Sequence, residues 1–165
     1  MTKENIGFVG LGRMGSRMAL RLVGPFSVLG TDKDTSLRRL AESSGITWVD
    51  DAILLASKCR HIFIVAGSES DVTEIIFGER GLVRGIDSET TIIVCATVRP
   101  SYIRALAERL SQNPNINLLD CPIARGETAA ESGDLLLFVG GDRGLLDSLE
   151  QLLAHFGSDI EFLGP

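Results

Sequence analysis

The stretch Asn5-Ile6-Gly7-Phe8-Val9-Gly10-Leu11-Gly12-Arg13-Met14-Gly15 decides the fold. Its first half is short and apolar and reads as a strand over 5–10. Its second half opens a helix from about Arg13 to Val23, which Gly24-Pro25 stops. Between them Gly10, Gly12 and Gly15 stand in the G-x-G-x-x-G pattern, in the strand-turn-helix context that gives the pattern its meaning. Gly10 permits the tight turn, Gly12 lets the backbone come close to a pyrophosphate, and Gly15 lets the helix pack against the strand. The backbone N–H groups of Leu11, Arg13 and Met14 and the positive end of the helix dipole then form an anion site that needs no charged side chain. The segment predicts dinucleotide binding.

Outward from this stretch, short β-rich runs alternate with segments of helical period. Further strands are predicted over 26–31, 46–49, 61–66, 90–96, 116–120, 135–140 and 159–163. Runs such as Thr91-Ile92-Ile93-Val94 and Leu135-Leu136-Leu137-Phe138-Val139 lack alternation, as strands do when both faces are covered. A helix opens at Asp34 with Leu37, Leu40 and Ala41 on one face. Others carry Ala52, Leu55 and Ala56, or Val72, Ile75, Ile76 and Phe77. Pro100 starts one with Ile103, Leu106, Ala107 and Leu110 inward, and the last runs from Asp142 to His155. The fold class is α/β: a Rossmann-type doubly wound, mostly parallel sheet with helices on both faces, in one domain over 1–165. Phe162-Leu163-Gly164-Pro165 reads as a domain edge.

Composition narrows the function. The 165 residues are 44% hydrophobic, enough for a core without staples, and the net charge of −6 with no basic stripe argues against nucleic acid. No run of 18 apolar residues and no apolar leader is present, so a soluble, cytoplasmic protein without a membrane partner is expected. Cys59, Cys95 and Cys121 form no C-x-x-C pair; they read as buried apolar residues, with no metal site implied.

Asp32 ends the second strand 22 residues after Gly10, the place of an acid on the adenosine ribose hydroxyls. A carboxylate there repels a 2′-phosphate, so NAD is preferred. Lys33 follows within reach of a phosphate and keeps NADP as the alternative. A competing reading makes Asp34 a helix cap and Asp32 a turn residue. After the fourth strand, Ala66 and Gly67 are small enough for a cofactor to lie over the strand end, and Ser68 is either a ligand or a helix cap. After the fifth, the Thr97 hydroxyl reaches the nicotinamide ribose or carboxamide, or is a plain loop hydroxyl.

Together Ile6 to Ala19 (IGFVGLGRMGSRMA), Asp32 and Leu118 to Asp142 (LLDCPIARGETAAESGDLLLFVGGD) resemble the β-hydroxyacid dehydrogenases, which include 3-hydroxyisobutyrate dehydrogenase and the cofactor domain of 6-phosphogluconate dehydrogenase. The resemblance spans nearly the whole chain. It implies an NAD(P)-dependent oxidoreductase that interconverts a small carboxylate-bearing hydroxy acid and its semialdehyde. Family members read D-A-P-V-S-G-G and G-x-L where this chain has Asp120-Cys121-Pro122-Ile123-Ala124-Arg125-Gly126 and Gly133-Asp134-Leu135. The family's D-x-S-T-x-x-P loop is Val94 to Pro100 here, with Thr97 and Pro100 kept and the acid and serine replaced by Val94 and Ala96. The resemblance thus implies substrate contacts at Ile123, Ala124, Arg125 and Gly126, with the usual serine and first glycine lost to Ala124 and Arg125. Arg125 is either a bidentate grip on a substrate carboxylate or a loop arginine paired with Glu127 or Glu131.

The family's proton-transferring lysine lies on a helix just beyond the cofactor domain. Lys3, Lys33 and Lys58 are not placed for that role, and His61 and His155 read as structural or surface residues. No catalytic residue is therefore expected within 1–165, and the family's all-helical second domain is expected to begin about where Pro165 stands. Self-association stays open. The alternative is a non-catalytic dinucleotide-binding or sensor module, from which the length of the native reading frame would discriminate.

Overall fold

The computed structural model describes residues 2–165. Strand β1 (Asn5–Val9) leads into helix α1 (Arg13–Leu22) and strand β2 (Ser27–Thr31). A 3-10 turn (Thr35–Leu37) runs into α2 (Arg38–Ser43), followed by β3 (Thr47–Trp48), α3 (Ala52–Ala56), β4 (His61–Ile64) and α4 (Glu69–Phe77). Then come β5 (Thr90–Val94), α5 (Pro100–Leu110), β6 (Ile116–Asp120), β7 (Ile123–Ala124) and α6 (Gly126–Ser132). The chain closes with β8 (Leu136–Gly141), α7 (Arg143–Leu153) and β9 (Asp159–Gly164).

The strands form one sheet in the order β3-β2-β1-β4-β5-β6-β8-β7, with β9 on β8. Its first six members run parallel in the order of a doubly wound dinucleotide-binding sheet, which reverses direction of winding at β1. Beyond β6 the sheet changes character: β8 is antiparallel to β6 and β7, and β9 is parallel to β8. The parallel core, and hence the crevice beyond its carboxyl ends, is as the sequence predicts.

Both faces of the sheet are buried, which explains the unbroken apolar runs. Along β4, Phe63 faces one core while Ile62 and Ile64 face the other. On the first face Phe8 stacks on Phe63 at 5.0 Å between ring centroids, and Phe156, from the turn after α7, meets both rings edge-on at 6.3 and 5.1 Å. On the second, Ile62, Ile64, Ile92 and Val94 pack under Leu55, Val72, Ile76 and Leu106. Each such fully buried side chain stabilises the fold by about 1.5–3 kcal/mol. The three cysteines are buried and unpaired, as expected. No helix among the described residues is long and apolar enough to cross a membrane.

Four local expectations change. Leu40 and Ala107 are exposed, not inward. Asp34 caps a 3-10 turn by accepting from the Ser36 N–H at 3.0 Å, and the tighter winding of that turn rotates Leu40 out of the apolar stripe. On α5 the buried stripe is centred on Leu106 and Leu110, and Ala107 lies beside it. Strand β7 and helix α6 are additions. The first has two residues after a proline, and the second has seven residues bounded by left-handed positions at Arg125 (φ +83°) and Gly133 (φ +79°), too short for a periodic signal.

Candidate functional site

The loop after β1 is built by backbone contact. Gly10 has φ +99°, and a Cβ there would run into the carbonyl of Val65; a Cβ on Gly15 would run into the carbonyl of Gly10. Both glycines are therefore required by the protein's own packing. Gly12 differs: its φ of −65° suits any residue, and the space where its Cβ would stand is open. Nothing within the described residues requires a glycine at 12, and the backbone there is open to close approach from the cleft.

Gly12 also begins α1 without a side-chain cap, as α2, α5 and α6 begin, while α3, α4 and α7 are capped by Asp51, Ser68 and Asp142. The backbone N–H groups at the positive end of α1 thus have no side-chain acceptor at the cap. Across the loop, Asp32 accepts from the Leu11 N–H at 2.6 Å through one oxygen and from the Asp34 N–H at 2.9 Å through the other. Asp32 is thus more than a turn residue: it ties the glycine loop to the tip of β2, and it keeps a carboxylate at the edge of the cleft. Asp34 is a cap as well, as the competing reading of this pair has it.

A cleft of about 460 Å³ lies over the carboxyl ends of β1, β2 and β4. It brings together Gly10, Gly12, Asp32, Lys33, Ala66 and Gly67, with Asp51, Asp71, Glu74 and Arg80 on its outer wall. Lys33 Nζ bonds Asp71 at 2.9 Å, and Arg80 pairs with Asp51. Leu11, Arg13, Met14, Gly15 and Thr97 stand outside its lining. The side chains of Leu11 and Met14 belong to the core, Gly15 is buried, and Arg13 is exposed and pairs with Glu127 at 3.2 Å. Any contact from Leu11, Met14 or Gly15 to a ligand comes through the backbone. Ser68 caps α4, its hydroxyl accepting from the Asp71 N–H at 3.1 Å.

Thr97 lies exposed on the loop after β5. That loop is pinned by Arg99, which grips Glu69 of α4 through Nε at 3.0 Å and Nη2 at 2.6 Å while its N–H donates to the same carboxylate at 2.9 Å. These bonds hold the Glu69 carboxyl down at about 2. The sequence offers no hint of this clamp, because its halves are far apart and meet only through the strand order.

The stretch 123–126 lies at the other end of the crevice. Ile123 and Ala124 form β7, and α6 packs on α1, where Glu127 takes Arg13 and Arg17 at 3.2 Å each. This places the stretch beside the helix that begins at the glycine loop. Arg125 does not pair with Glu127 or Glu131. Its guanidinium reaches Asp159 of β9 at 2.5 Å and the Asp134 carbonyl at 3.2 Å, because its left-handed backbone turns the side chain toward β8 and β9. Just before it, Asp120 ends β6 with one buried oxygen lacking any partner, and burial pushes its carboxyl up to about 6.

The profile of the NAD binding domain of 6-phosphogluconate dehydrogenase matches residues 5–164. An oxidoreductase of Bacillus subtilis, YkwC, is 29% identical over 99% of this chain and 57% of its own length. The 2-hydroxy-3-oxopropionate reductase of Escherichia coli is 28% identical over 96% of this chain and 54% of its own. Among solved structures, the 3-hydroxyisobutyrate dehydrogenase of Mycobacterium tuberculosis with L-serine superposes with a TM-score of 0.89 at 23% identity, over 99% of this chain and 55% of that one. The chain spans somewhat more than half the length of each.

Proposed function

This chain belongs to the family of the NAD-binding domain of 6-phosphogluconate dehydrogenase, and from that premise we propose that it serves a 3-hydroxyisobutyrate-type dehydrogenase acting on a small carboxylate-bearing hydroxy acid or its semialdehyde. The carrying observation is Gly12: a glycine with an ordinary φ, open space at its Cβ, an uncapped helix behind it and a carboxylate across the cleft. Those residues fit a dinucleotide. When bound, NAD supplies the hydride acceptor for a carbon bearing a hydroxyl.

The residues of the chain bind and orient. The N–H groups at the start of α1 hold the pyrophosphate, with Gly12 permitting the approach. Asp32 takes the adenosine ribose hydroxyls, a role compatible with its bonds to Leu11 and Asp34 because a carboxylate has about four acceptor sites. Ala66 and Gly67 leave room over β4, and Thr97 meets the nicotinamide end from the loop that Arg99 and Glu69 hold still. Ile123, Ala124, Arg125 and Gly126 supply the chain's side of the substrate pocket. There Arg125, already tied to Asp134 and Asp159, offers its remaining N–H groups and a positive field to a carboxylate. The proton of the hydroxyl passes to a lysine of the helical domain that follows in the family, outside these residues.

Calorimetric titration of NAD into the chain, followed by assay against a panel of 3-hydroxy acids, tests this reading. Binding without turnover is the expected result. Absence of binding to NAD and NADP alike would defeat the cofactor assignment, and turnover by residues 1–165 alone would defeat the assignment of the proton transfer elsewhere. In a form that includes the following domain, Arg125→Ala should weaken substrate while leaving the cofactor affinity unchanged; equal substrate affinity would remove Arg125 from the pocket.

A further inference from the structure

The cations lining the cleft are Lys33 and Arg80, and each is matched to a carboxylate, Lys33 to Asp71 and Arg80 to Asp51. Lys33 follows β2 and Asp71 lies in the first turn of α4, after β4. In the sheet, β1 stands between β2 and β4. The Lys33–Asp71 bond therefore crosses the carboxyl end of β1, over the glycine loop. Asp71 is the fixed member: its second oxygen accepts from the Ser68 hydroxyl at 2.7 Å, and Ser68 is itself held as the cap of α4. Lys33 is the free one, with its side chain 85% exposed.

NADP differs from NAD by a 2′-phosphate on the ribose that Asp32 faces, and a site accepts that group by presenting a cation to it. Lys33 is next to Asp32 in the chain and is the nearest candidate for that service. We propose that Asp71 sets the cofactor choice: by drawing Lys33 across the cleft to α4 it withholds the cation that a 2′-phosphate needs, and so selects NAD. Asp32 acts by repulsion and Asp71 by sequestration, two separate contributions to one preference. The bond holds Lys33 more firmly protonated and Asp71 more firmly ionised than either group alone, so the pair persists at neutral pH. This inference rests on the dinucleotide reading above.

The test is the ratio of NAD to NADP dissociation constants, measured by calorimetry on the parent, Asp71→Asn, Lys33→Met and the double variant. The asparagine keeps an oxygen for Ser68, so α4 stays capped while the charge that holds Lys33 is gone. Asp71→Asn should shift the ratio toward NADP by about tenfold, the scale of one charge-assisted bond to phosphate. In the double variant the ratio should fall back to that of Lys33→Met. A ratio in Asp71→Asn within about twofold of the parent's would overturn the proposal, and so would a shift that survives the loss of Lys33. A parent that binds neither dinucleotide would overturn the dinucleotide reading and this one with it, whereas NAD binding with an unmoved ratio sinks this one alone.

Discussion

Asp32 at the tip of β2 and Asp120 at the tip of β6 both close a parallel strand at its carboxyl end, yet their surroundings differ. Asp32 has an N–H on each oxygen, one from the glycine loop and one from its own turn. Asp120 has a buried oxygen with no donor, and its carboxyl is pushed up to about 6 by that burial. The β2 side of the crevice is preorganised by satisfied contacts, backbone against backbone and the Asp32 carboxylate against two N–H groups, whereas the β6 side carries an unmet demand for a hydrogen bond. A site can thus be finished at one end and unfinished at the other, and the two ends should respond differently to the same kind of perturbation.

The sharpest break comes at the loop that Asp32 holds. Gly15→Ala forces a methyl against the Gly10 carbonyl and should lower the unfolding free energy in urea by about 3 kcal/mol or more. Gly12→Ala, with open space at its Cβ, should stay within about 1 kcal/mol of the parent while losing NAD affinity. Equal destabilisation by both would mean the loop is shaped for packing alone. Next in size, Asp32→Ala strips the partner from two N–H groups and should cost about 2 kcal/mol in the same measurement. It should also weaken NAD more than NADP, and an unchanged affinity ratio would count against the ribose role.

The β6 end is tested by pH. A carboxyl whose folded value lies above the ordinary 3.8 binds its proton more tightly in the fold. Its contribution is fully present below about pH 4 and is lost as pH rises through about 6. Because the group is half-buried, the loss should be about 1 kcal/mol, smaller than the full shift implies. Asp120→Asn should flatten the stability profile between pH 4.5 and 7, and an unaltered slope would show that another group titrates there. The smallest effect is at Arg125. Arg125→Gly should be about 1 kcal/mol more stable than Arg125→Ala, since both lose the bonds to Asp134 and Asp159 but only glycine is at ease at φ +83°. Identical melting temperatures would mean the backbone there relaxes.

What was legible in the chain follows from how each feature is encoded. Gly10, Gly12, Gly15 and Asp32 are set by spacing along two adjacent β-α steps, so residue numbers alone predict them. The Lys33–Asp71 and Glu69–Arg99 pairs are set by which strands are neighbours, and no local pattern announces them. Asp120 belongs to a motif that the sequence displays, but its missing partner is a property of packing. Arg125 shows the limit most plainly. Its charge was readable and its direction was not, because the left-handed turn that aims it at β9 is one that arginine seldom adopts.

Phe156 carries a last consequence, for synthesis. Phe8 and Phe63 belong to adjacent strands beneath the cleft, but the ring that closes over them comes from beyond α7. A chain made from its amino terminus must therefore hold two large aromatic side chains without their edge-on cover until residue 156 has been produced. The glycine loop and its helix can form early, but they cannot settle onto a finished floor until then. During that interval the nascent chain is most exposed to aggregation, and a chaperone has most to shield.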